Sequence, residues 1–359
     1  MLPSTSDPDR PVSGGARLVD ELRRLGREAG LVALGVASAE PFGETRVALE
    51  RRKAAGLHGG MQFTYRNPAR STDPARTLPA VRSLVVGALA YPSVTPPPPP
   101  GSQGRVARYA AGDHYARLRA ALEVVAGRLR REGFRAVVVA DDNALVDRAA
   151  AHRAGLGWYG RSANLLVPGH GSWVVLGSVL TDAHLPPAAE PVPDGCGTCT
   201  RCLDGCPTGA IVAPGVVDAR RCLAWLVQAE GPFPEELREA LGDRIYGCDD
   251  CQEVCPPNRR VRREQPVTAP GSSRSWVGLV ELLRAGDEEL LATFGRWYLP
   301  RRDPRYLRRN ALVALGNVGD PADAQVVELV EGYRTGADPL LADHAAWAAA
   351  RLAQRRGAA

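Results

Sequence analysis

The residues whose types and spacing best predict chemistry are eight cysteines, which all lie between positions 196 and 255 of the 359-residue chain. The first four read Cys196-x-x-Cys199-x-x-Cys202-x-x-x-Cys206-Pro207, a spacing typical of bacterial proteins that bind [4Fe–4S] clusters. The others are Cys222, Cys248, Cys251 and Cys255, and Pro256 follows the last. Such short spacings let several thiolates converge on one cluster at little entropic cost. The pattern therefore predicts two [4Fe–4S] clusters.

The order of these cysteines also predicts how they are shared. In two-cluster ferredoxins the cysteine before proline ligates the other cluster. By that rule one cluster is held by Cys196, Cys199, Cys202 and Cys255, and the other by Cys206, Cys222, Cys248 and Cys251. The alternative is a pair of structural zinc sites with four thiolates each. Zinc sites usually pair two CxxC motifs, so the triple motif followed by Cys-Pro favours clusters that pass single electrons.

Composition restricts the setting in which these clusters work. No run of about 18 apolar residues appears, which argues against a membrane span. The polar N-terminus lacks the apolar stretch of a secretory signal, and we interpret residues 1–15 as a disordered tail. A chain of this length, 45% hydrophobic, has enough apolar residues for two or three domains. We therefore expect a cytoplasmic protein that makes no membrane contact.

Before the cysteines, apolar runs typical of strands alternate with helical stretches, which predicts an α/β (α+β) domain over residues 16–190. A proline-rich linker, 186–194, leads into a ferredoxin-like domain over 191–262. The sequence around Arg309–Gly316 recurs loosely 34 residues later, which predicts HEAT-like helical repeats over 270–359. The predicted strands are 31–37, 83–90, 136–140 and 173–180, and the predicted helices are 17–29, 115–132 and 144–154.

Taken together, these features resemble the epoxyqueuosine reductase family from about Leu18 to Leu352. The most specific stretches are the cysteines, residues 154–160 (Ala-Gly-Leu-Gly-Trp-Tyr-Gly), 171–173 (Gly-Ser-Trp) and 246–252 (Tyr-Gly-Cys-Asp-Asp-Cys-Gln). The resemblance implies that the first domain binds cobalamin and that the C-terminal helices help to hold tRNA. It also implies the reaction, in which cob(I)alamin, supplied with electrons through the clusters, reduces the epoxide of epoxyqueuosine at the tRNA wobble position to the alkene of queuosine.

The resemblance further implies a proton donor, Asp141, which ends the predicted strand 136–140. A carboxylic acid beside a dry cofactor can have its pKa raised and stay protonated for donation. On the residues alone, the alternative is that Asp141, with Asp142 and Asn143, caps the following helix.

The same resemblance implies the cofactor and substrate contacts. Gln228 is a candidate substrate contact, one helical turn beyond Ala224. The cobalamin contacts, several of them through backbone groups, are implied at Ala107, Asp141, Ser162, Leu165, Leu176, Ala224, Cys248 and Asp249.

A basic stretch suggests where tRNA binds, since twelve arginines against six acidic residues lie between Pro256 and Arg309. Its densest part contains Arg296, Arg301, Arg302, Arg305, Arg308 and Arg309, interleaved with Trp297, Tyr298 and Tyr306. Guanidinium groups bind phosphate in bidentate fashion and stack on bases. We predict phosphate contacts from Arg302, Arg305 and Arg309, against the alternative of a solvated helix surface with its aromatic residues in the core.

Two other functions remain open at this point. One is a related corrinoid iron–sulfur reductase that acts on a small molecule such as an organohalide. The other is an electron-transfer module, although the 195 residues before Cys196 exceed what a carrier needs. For the leading interpretation we expect the anticodon stem-loop of tRNA and an external electron donor, such as a flavodoxin or ferredoxin, as partners of a monomeric enzyme.

Overall fold

The computed structural model of the chain describes residues 12–264, 266 and 274–357. The strands are β1 (Ala33–Ser38), β2 (Ser83–Ala90), β3 (Gln103–Val106), β4 (Ala136–Val139), β5 (Trp158–Tyr159), β6 (Leu165–Leu166), β7 (Val174–Thr181), β8 (Ile211–Ala213), β9 (Val216–Val217), β10 (Arg244–Tyr246) and β11 (Trp276–Gly278). The helices are α1 (Val12–Glu28), α2 (Gly43–Ala54), α3 (Pro68–Ser71), α4 (Arg108–Ala111), α5 (His114–Arg131), α6 (Asp147–Arg153), α7 (Arg201–Asp204), α8 (Leu223–Leu226), α9 (Arg238–Leu241), α10 (Asp250–Glu253), α11 (Pro256–Glu264), α12 (Leu279–Arg284), α13 (Asp287–Phe294), α14 (Arg305–Val318), α15 (Ala324–Arg334) and α16 (Pro339–Gly357).

Most predicted elements of the first domain are present. The four predicted strands correspond to β1, β2, β4 and β7, with ends shifted by two residues or fewer. Helix α6 is shorter than predicted because it begins only at Asp147. Of the predicted tail, 1–15, residues 1–11 lie outside the described part of the chain. Residues 12–15 belong to α1, so the predicted tail boundary is wrong there.

A four-stranded sheet forms the centre of the first domain, in the order β1-β2-β7-β4 with every neighbouring pair antiparallel. The domain is therefore of the α+β type. Side chains alternate between the two faces: Val85 and Val179 pack with helices α1 and α5, whereas Leu84 and Leu180 pack with α6. Because helices cover both faces, the strands are mostly apolar on both sides, with small polar exceptions such as Ser178 and Thr181.

A second sheet joins all three predicted domains. Strand β3 pairs in parallel with β10 from the cysteine-rich region and antiparallel with β11 from the C-terminal region. Val106, the last residue of β3, and Ala110, on α4, lie in the same core as the C-terminal helices. The predicted boundary 16–190 therefore does not follow the packing, since the segment around residues 103–111 belongs to the C-terminal core.

The C-terminal region is helical. Helices α14 and α16 contain the two similar segments and pack against each other, with α15 against α16. Leu307, Leu315 and Ala345 are fully buried in their shared core. This arrangement places the repeated segments side by side, and HEAT-like repetition remains a prediction. Within the part of the chain that is described, no helix is long and apolar enough to cross a membrane.

Candidate active site

The eight thiols fall into two groups that are distinguished by their electrostatic interactions. Burial raises the pKa of Cys255 to about 11, and the charges of Cys196, Cys202 and Cys199 add to the increase. The second group is centred on Cys251, whose pKa is also raised by burial and then by Cys248, Cys222 and Cys206. The cysteines that raise the pKa of Cys255 and of Cys251 thus belong to the two predicted ligand sets, and the assignment of ligands to each cluster stays a prediction.

Short helices bring the two cysteine motifs together. Helix α7 follows Cys199 and packs against α10, which follows Cys248. Gly205 permits this approach, because a Cβ atom there would lie 2.9 Å from Cγ2 of Val254. The backbone N–H of Ala210 donates a hydrogen bond to Sγ of Cys206 at 3.2 Å. Convergent thiols that receive N–H donors fit [4Fe–4S] clusters, whose iron offsets the repulsion between thiolates.

Asp141 lies at the carboxyl end of β4, in a backbone conformation that few residues other than glycine adopt. Its φ is +53°, in the left-handed region where asparagine and aspartate are enriched. Gly177 on β7 makes room for the chain here, since a Cβ atom there would lie 2.8 Å from Cβ of Ala140. The guanidinium of Arg119 donates a hydrogen bond to the carbonyl of Ala140 at 2.7 Å. The turn that presents Asp141 is therefore fixed from two sides.

The side chain of Asp141 is exposed to solvent, yet its pKa is raised. Burial by the surrounding protein is the largest cause, the charge of Arg119 acts in the opposite direction, and Asp142 adds to the increase. The carboxyl is therefore open to solvent on one side and partly desolvated by the protein on the other. Such a carboxyl keeps its proton to a higher pH than a surface carboxyl does.

The interpretation of Asp141 as a helix cap is wrong. Helix α6 begins at Asp147, and its N-cap position is Val146. Between these positions, Asp142 accepts a hydrogen bond from the backbone N–H of Ala144 at 2.8 Å and forms a local turn.

A second carboxyl, Asp147, was not predicted from the sequence. Burial raises its pKa well above the usual value, the charge of Asp141 raises it further, and the backbone N–H of Asp141 acts against this as a donor to the carboxyl. Oδ1 of Asp147 is buried with no hydrogen-bond partner in the described part of the chain. An acidic residue in the first turn of a helix usually interacts favourably with the helix dipole. The sequence position of Asp147 therefore gave little sign that its carboxyl is buried beside Asp141.

Tyrosines connect these carboxyls with the second cysteine group. Burial raises the pKa of Tyr109, Tyr115 and Tyr246, and in each case the charge of Asp141 contributes. Asp249, which follows Cys248, also contributes to the increase for Tyr109. Tyr109 therefore lies within electrostatic reach of both the candidate acid and the cysteine turn.

A buried arginine fixes that cysteine turn to the rest of the site. The backbone N–H of Arg108 donates to the Asp249 carboxylate at 2.9 Å, and its guanidinium forms ion pairs with Asp249 at 3.7 Å and with Glu253. The guanidinium also lies over the ring of Trp173, 4.6 Å from its centroid. Because the carboxylate of Asp249 is occupied in this way, any cofactor contact of Asp249 has to come from its backbone.

The predicted cobalamin contacts lie in two places. Ala107 donates its N–H to Tyr246 at 2.9 Å, and so lies beside the turn of Cys248 and Asp249. Ser162 and Cys251 share a neighbour, since Nδ2 of Asn164 lies 3.3 Å from Oγ of Ser162 and 3.9 Å from Sγ of Cys251. Two predicted contacts, Leu165 on β6 and Leu176 on β7 of the first sheet, are buried in the same apolar cluster.

Two further predicted residues lie at the second cysteine group. Ala224 lies in helix α8, two residues after Cys222 at the N-cap of that helix. Nε2 of Gln228 donates to the carbonyl of Ala224 at 2.7 Å, so the carboxamide oxygen and the second N–H of Gln228 are left for a substrate. The structure therefore brings the predicted contacts close to the second cysteine group, except for the two leucines, which its contacts link only to the sheet.

The prediction that Arg309 contacts tRNA is wrong. Its side chain is 0% exposed, and burial lowers its pKa to about 10. Its guanidinium donates to the carbonyls of Leu226, Ala229 and Gly231 at 2.6–2.9 Å. Arg309 thus links α14 to the segment that carries Gln228, because three backbone carbonyls there need a donor.

The other predicted arginines differ in availability. Arg305 forms ion pairs with Asp303 at 2.7 Å and with Asp338 at 3.4 Å, which neutralise much of its charge. Arg302 is exposed and donates to the carbonyl of Gly295 at 3.3 Å. It therefore remains the best phosphate-binding candidate of the three.

Replacing Arg309 by Met is expected to destabilise the protein. Each backbone carbonyl left without a donor costs about 1–3 kcal/mol, which is partly offset because a buried charge is removed. Thermal unfolding of the protein with its clusters intact measures the effect. The matched control is Arg302→Met on the surface, where a change within about 0.5 kcal/mol is expected. Equal stability of the two variants would show that Arg309 has no such role.

Two family models match the chain. The 4Fe-4S double cluster binding domain matches residues 195–258, which include all eight cysteines. This match decides between iron–sulfur clusters and zinc. The model for epoxyqueuosine reductase QueG, DUF1730, matches residues 71–142, which end just after Asp141.

Full-length relatives agree with these models. The epoxyqueuosine reductase of Escherichia coli is 35% identical over 357 residues, which cover 95% of this chain and 91% of the relative. A crystal structure of epoxyqueuosine reductase with an epoxyqueuosine-modified tRNA stem loop is 31% identical, covers 94% of this chain and 90% of its own, and has a TM-score of 0.85. The structure of the Bacillus subtilis enzyme, in which an aspartate of the catalytic loop is swung out of the active site, is 31% identical with a TM-score of 0.83, over 94% and 90% of the two chains.

Proposed function

Because this chain belongs to the epoxyqueuosine reductase family, we propose that it reduces epoxyqueuosine in tRNA to queuosine, with Asp141 as the proton donor. One observation of the site supports Asp141 as the proton donor. Asp141 is solvent-accessible and has a raised pKa, and its charge, like that of Asp249 after Cys248, acts on the buried Tyr109. An aspartate in the catalytic loop of the Bacillus subtilis relative supports an acid of this kind.

The reaction sets what the protein must supply. Conversion of an epoxide to an alkene breaks two C–O bonds and consumes two electrons and two protons, and the oxygen leaves as water. Asp141 carries one proton when it is neutral, so it has to be protonated again, by solvent or by a neighbour, before the oxygen is lost. Its exposure allows access of solvent, and its raised pKa favours the return of a proton relative to an ordinary aspartate.

Cobalamin is the cofactor that fits beside the second cysteine group. When bound, it would supply a reduced, strongly nucleophilic cobalt centre that transfers two electrons to the substrate. The residues proposed to hold it are Ala107, Ser162, Ala224, Cys248 and Asp249, through backbone groups and the Ser162 hydroxyl. Near Asp141, a polar atom is also available to a ligand, since Oδ1 of Asp147 is buried without a partner among the described residues. Cys206, Cys222, Cys248 and Cys251 are proposed to hold the cluster nearest to the cofactor.

Electrons must enter from outside, and a flavodoxin or ferredoxin remains the proposed donor. The tRNA anticodon stem-loop is the proposed substrate partner, held in part by Arg302, and Gln228 is proposed to contact the modified base. The enzyme is proposed to act as a monomer, with its C-terminal helices as HEAT-like repeats.

The proposed function is tested by turnover. Protein purified without oxygen, supplied with cobalamin and a chemical reductant, should convert epoxyqueuosine in a tRNA stem-loop to queuosine. Mass spectrometry of the digested RNA would detect the loss of one oxygen atom. Conversion of an organohalide with no reaction of the stem-loop would instead favour a small-molecule reductase.

Asp147 is expected to support Asp141 in this reaction. Its carboxyl accepts the N–H of Asp141, so Asp147→Ala should loosen the turn and lower turnover by about 10-fold, as the loss of positioning does. Asp147→Asn keeps an acceptor and should retain more activity.

The charge state of Asp147 can be tested separately through stability. A carboxyl whose pKa is raised in the folded state contributes stability at low pH that is lost as pH rises through the folded pKa. The melting temperature of Asp147→Asn, relative to the unchanged protein, should therefore increase as pH rises above 4. A difference that is constant with pH would mean that Asp147 is not held neutral.

A further inference from the structure

One aromatic side chain of the basic stretch is exposed, while its neighbours are not. Trp297 and Leu299 are each 5% exposed, whereas Tyr298, between them, is 54% exposed. The alternative in which the aromatic residues of this stretch lie in the core therefore holds for Trp297 and for Tyr306, which is 3% exposed, but not for Tyr298.

The backbone of Tyr298 is held at the edge of the proposed active site. Its N–H donates to the hydroxyl of Tyr246 at 2.8 Å, and the ring of Tyr246 stacks on Trp297 with centroids 4.4 Å apart. The same tyrosine lies two residues before Cys248, and its carbonyl accepts a hydrogen bond from the N–H of Ala107 at 2.9 Å. One buried tyrosine thus connects the backbone of Tyr298 with the turn of Cys248 and a predicted cofactor contact.

Two exposed arginines follow on the same loop. Arg301 and Arg302 have φ values of +52° and +55°, an uncommon conformation for residues other than glycine. Arg301 is 71% exposed and forms one ion pair, at 3.0 Å, with the exposed Glu230. A pair between exposed groups contributes little stability, so a phosphate can replace the carboxylate at low cost. Glu230 is two residues from Gln228, and the loop therefore lies beside the proposed substrate contact.

We propose that Tyr298 is a stacking platform for an anticodon-loop base that flanks the modified nucleotide, with Arg301 and Arg302 binding the adjacent phosphate. The proposal rests on the proposed tRNA substrate. To bring its epoxide to Asp141, the modified nucleotide has to leave the stack of the loop. A flanking base then loses one stacking partner, and proteins commonly replace it with an aromatic ring next to basic side chains.

Direct binding of anticodon stem-loop RNA tests this proposal independently of turnover. Fluorescence anisotropy compares the protein with Tyr298→Ala and Tyr298→Phe, and the matched control is Val327→Ala, another exposed apolar residue, on α15. Tyr298→Ala should weaken binding about 5- to 100-fold, the range for loss of one base–aromatic stack. Tyr298→Phe and Val327→Ala should stay within about twofold of the unchanged protein, since a phenyl ring still stacks.

Stem-loops with one abasic loop position at a time identify the stacked base. At that position, Tyr298→Ala should cause less than about a twofold further loss, because the interaction has already been removed from the RNA side. Binding unchanged in Tyr298→Ala, an equal effect with every abasic RNA, or no binding by the unchanged protein would overturn the proposal. Strong binding and a normal effect of Tyr298→Ala, with no epoxide reduction, would instead overturn the proposed function and keep the stacking surface.

Discussion

Replacing Asp141 by Asn is expected to lower turnover of epoxyqueuosine about 10²–10⁴-fold, the usual range for loss of a general acid. The variant should fold and bind stem-loop RNA normally, since asparagine tolerates the left-handed backbone that this position requires. Single-turnover kinetics with the clusters reduced beforehand would isolate this step from electron delivery.

The matched control for this variant is Asp142→Asn. Asp142 is exposed, and the amide oxygen of asparagine can still accept the hydrogen bond from Ala144. Its turnover should be within about threefold of that of the unchanged protein, since surface substitutions have small effects. Equal losses in the two variants would indicate a general disturbance of the turn and count against Asp141 as the acid.

The pH profile provides a second test of Asp141. Because burial raises its pKa above 3.8, the donating form persists above the normal titration range of an aspartate and is lost as pH rises through the raised pKa. The rate of the unchanged protein should therefore decline with increasing pH, whereas the residual rate of Asp141→Asn should lack that step.

Replacing Cys206 by Ser is expected to remove one cluster and nearly all activity. The unchanged protein, purified without oxygen, should contain about eight iron and eight sulfide per chain, as two cubane clusters do. Because Cys206 interacts with the group around Cys251, the variant should lose the cluster next to the proposed cofactor and keep about four iron. Iron and sulfide analysis with electron paramagnetic resonance would show which cluster remains.

Cys202→Ser is the matched variant for the other group, since Cys202 interacts with Cys196 and Cys199. Its remaining spectrum should be that of the cluster which Cys206→Ser lacks. If both variants lose the same cluster, the prediction that the two motifs exchange one ligand is wrong. Stoichiometric zinc with no sulfide in the unchanged protein would contradict both clusters.

Local patterns in the sequence determined the features that depend on short spacing. The cysteine motifs predicted clusters because ligands two or three residues apart must converge on one centre, and the match to the double-cluster family agrees. Apolar runs predicted β1, β2, β4 and β7 within two residues, since strands buried on both faces have no polar alternation. The family was likewise identifiable from contiguous motifs such as residues 154–160.

Only the tertiary structure decided which side chains are free to act. In the sequence, Arg309 is one of several arginines in a basic stretch, but packing of α14 against the segment 226–231 buries it on three carbonyls. In the sequence, Asp147 is an ordinary first-turn acid, whereas in the structure burial and the nearby charge of Asp141 raise its pKa. Trp297 and Tyr298 are adjacent aromatic residues, but only the side chain of Trp297 points into the core, and that of Tyr298 is exposed. Burial and partners arise from residues distant in sequence, so spacing along the chain predicts the ligands of a cluster better than it predicts the exposure of a charge.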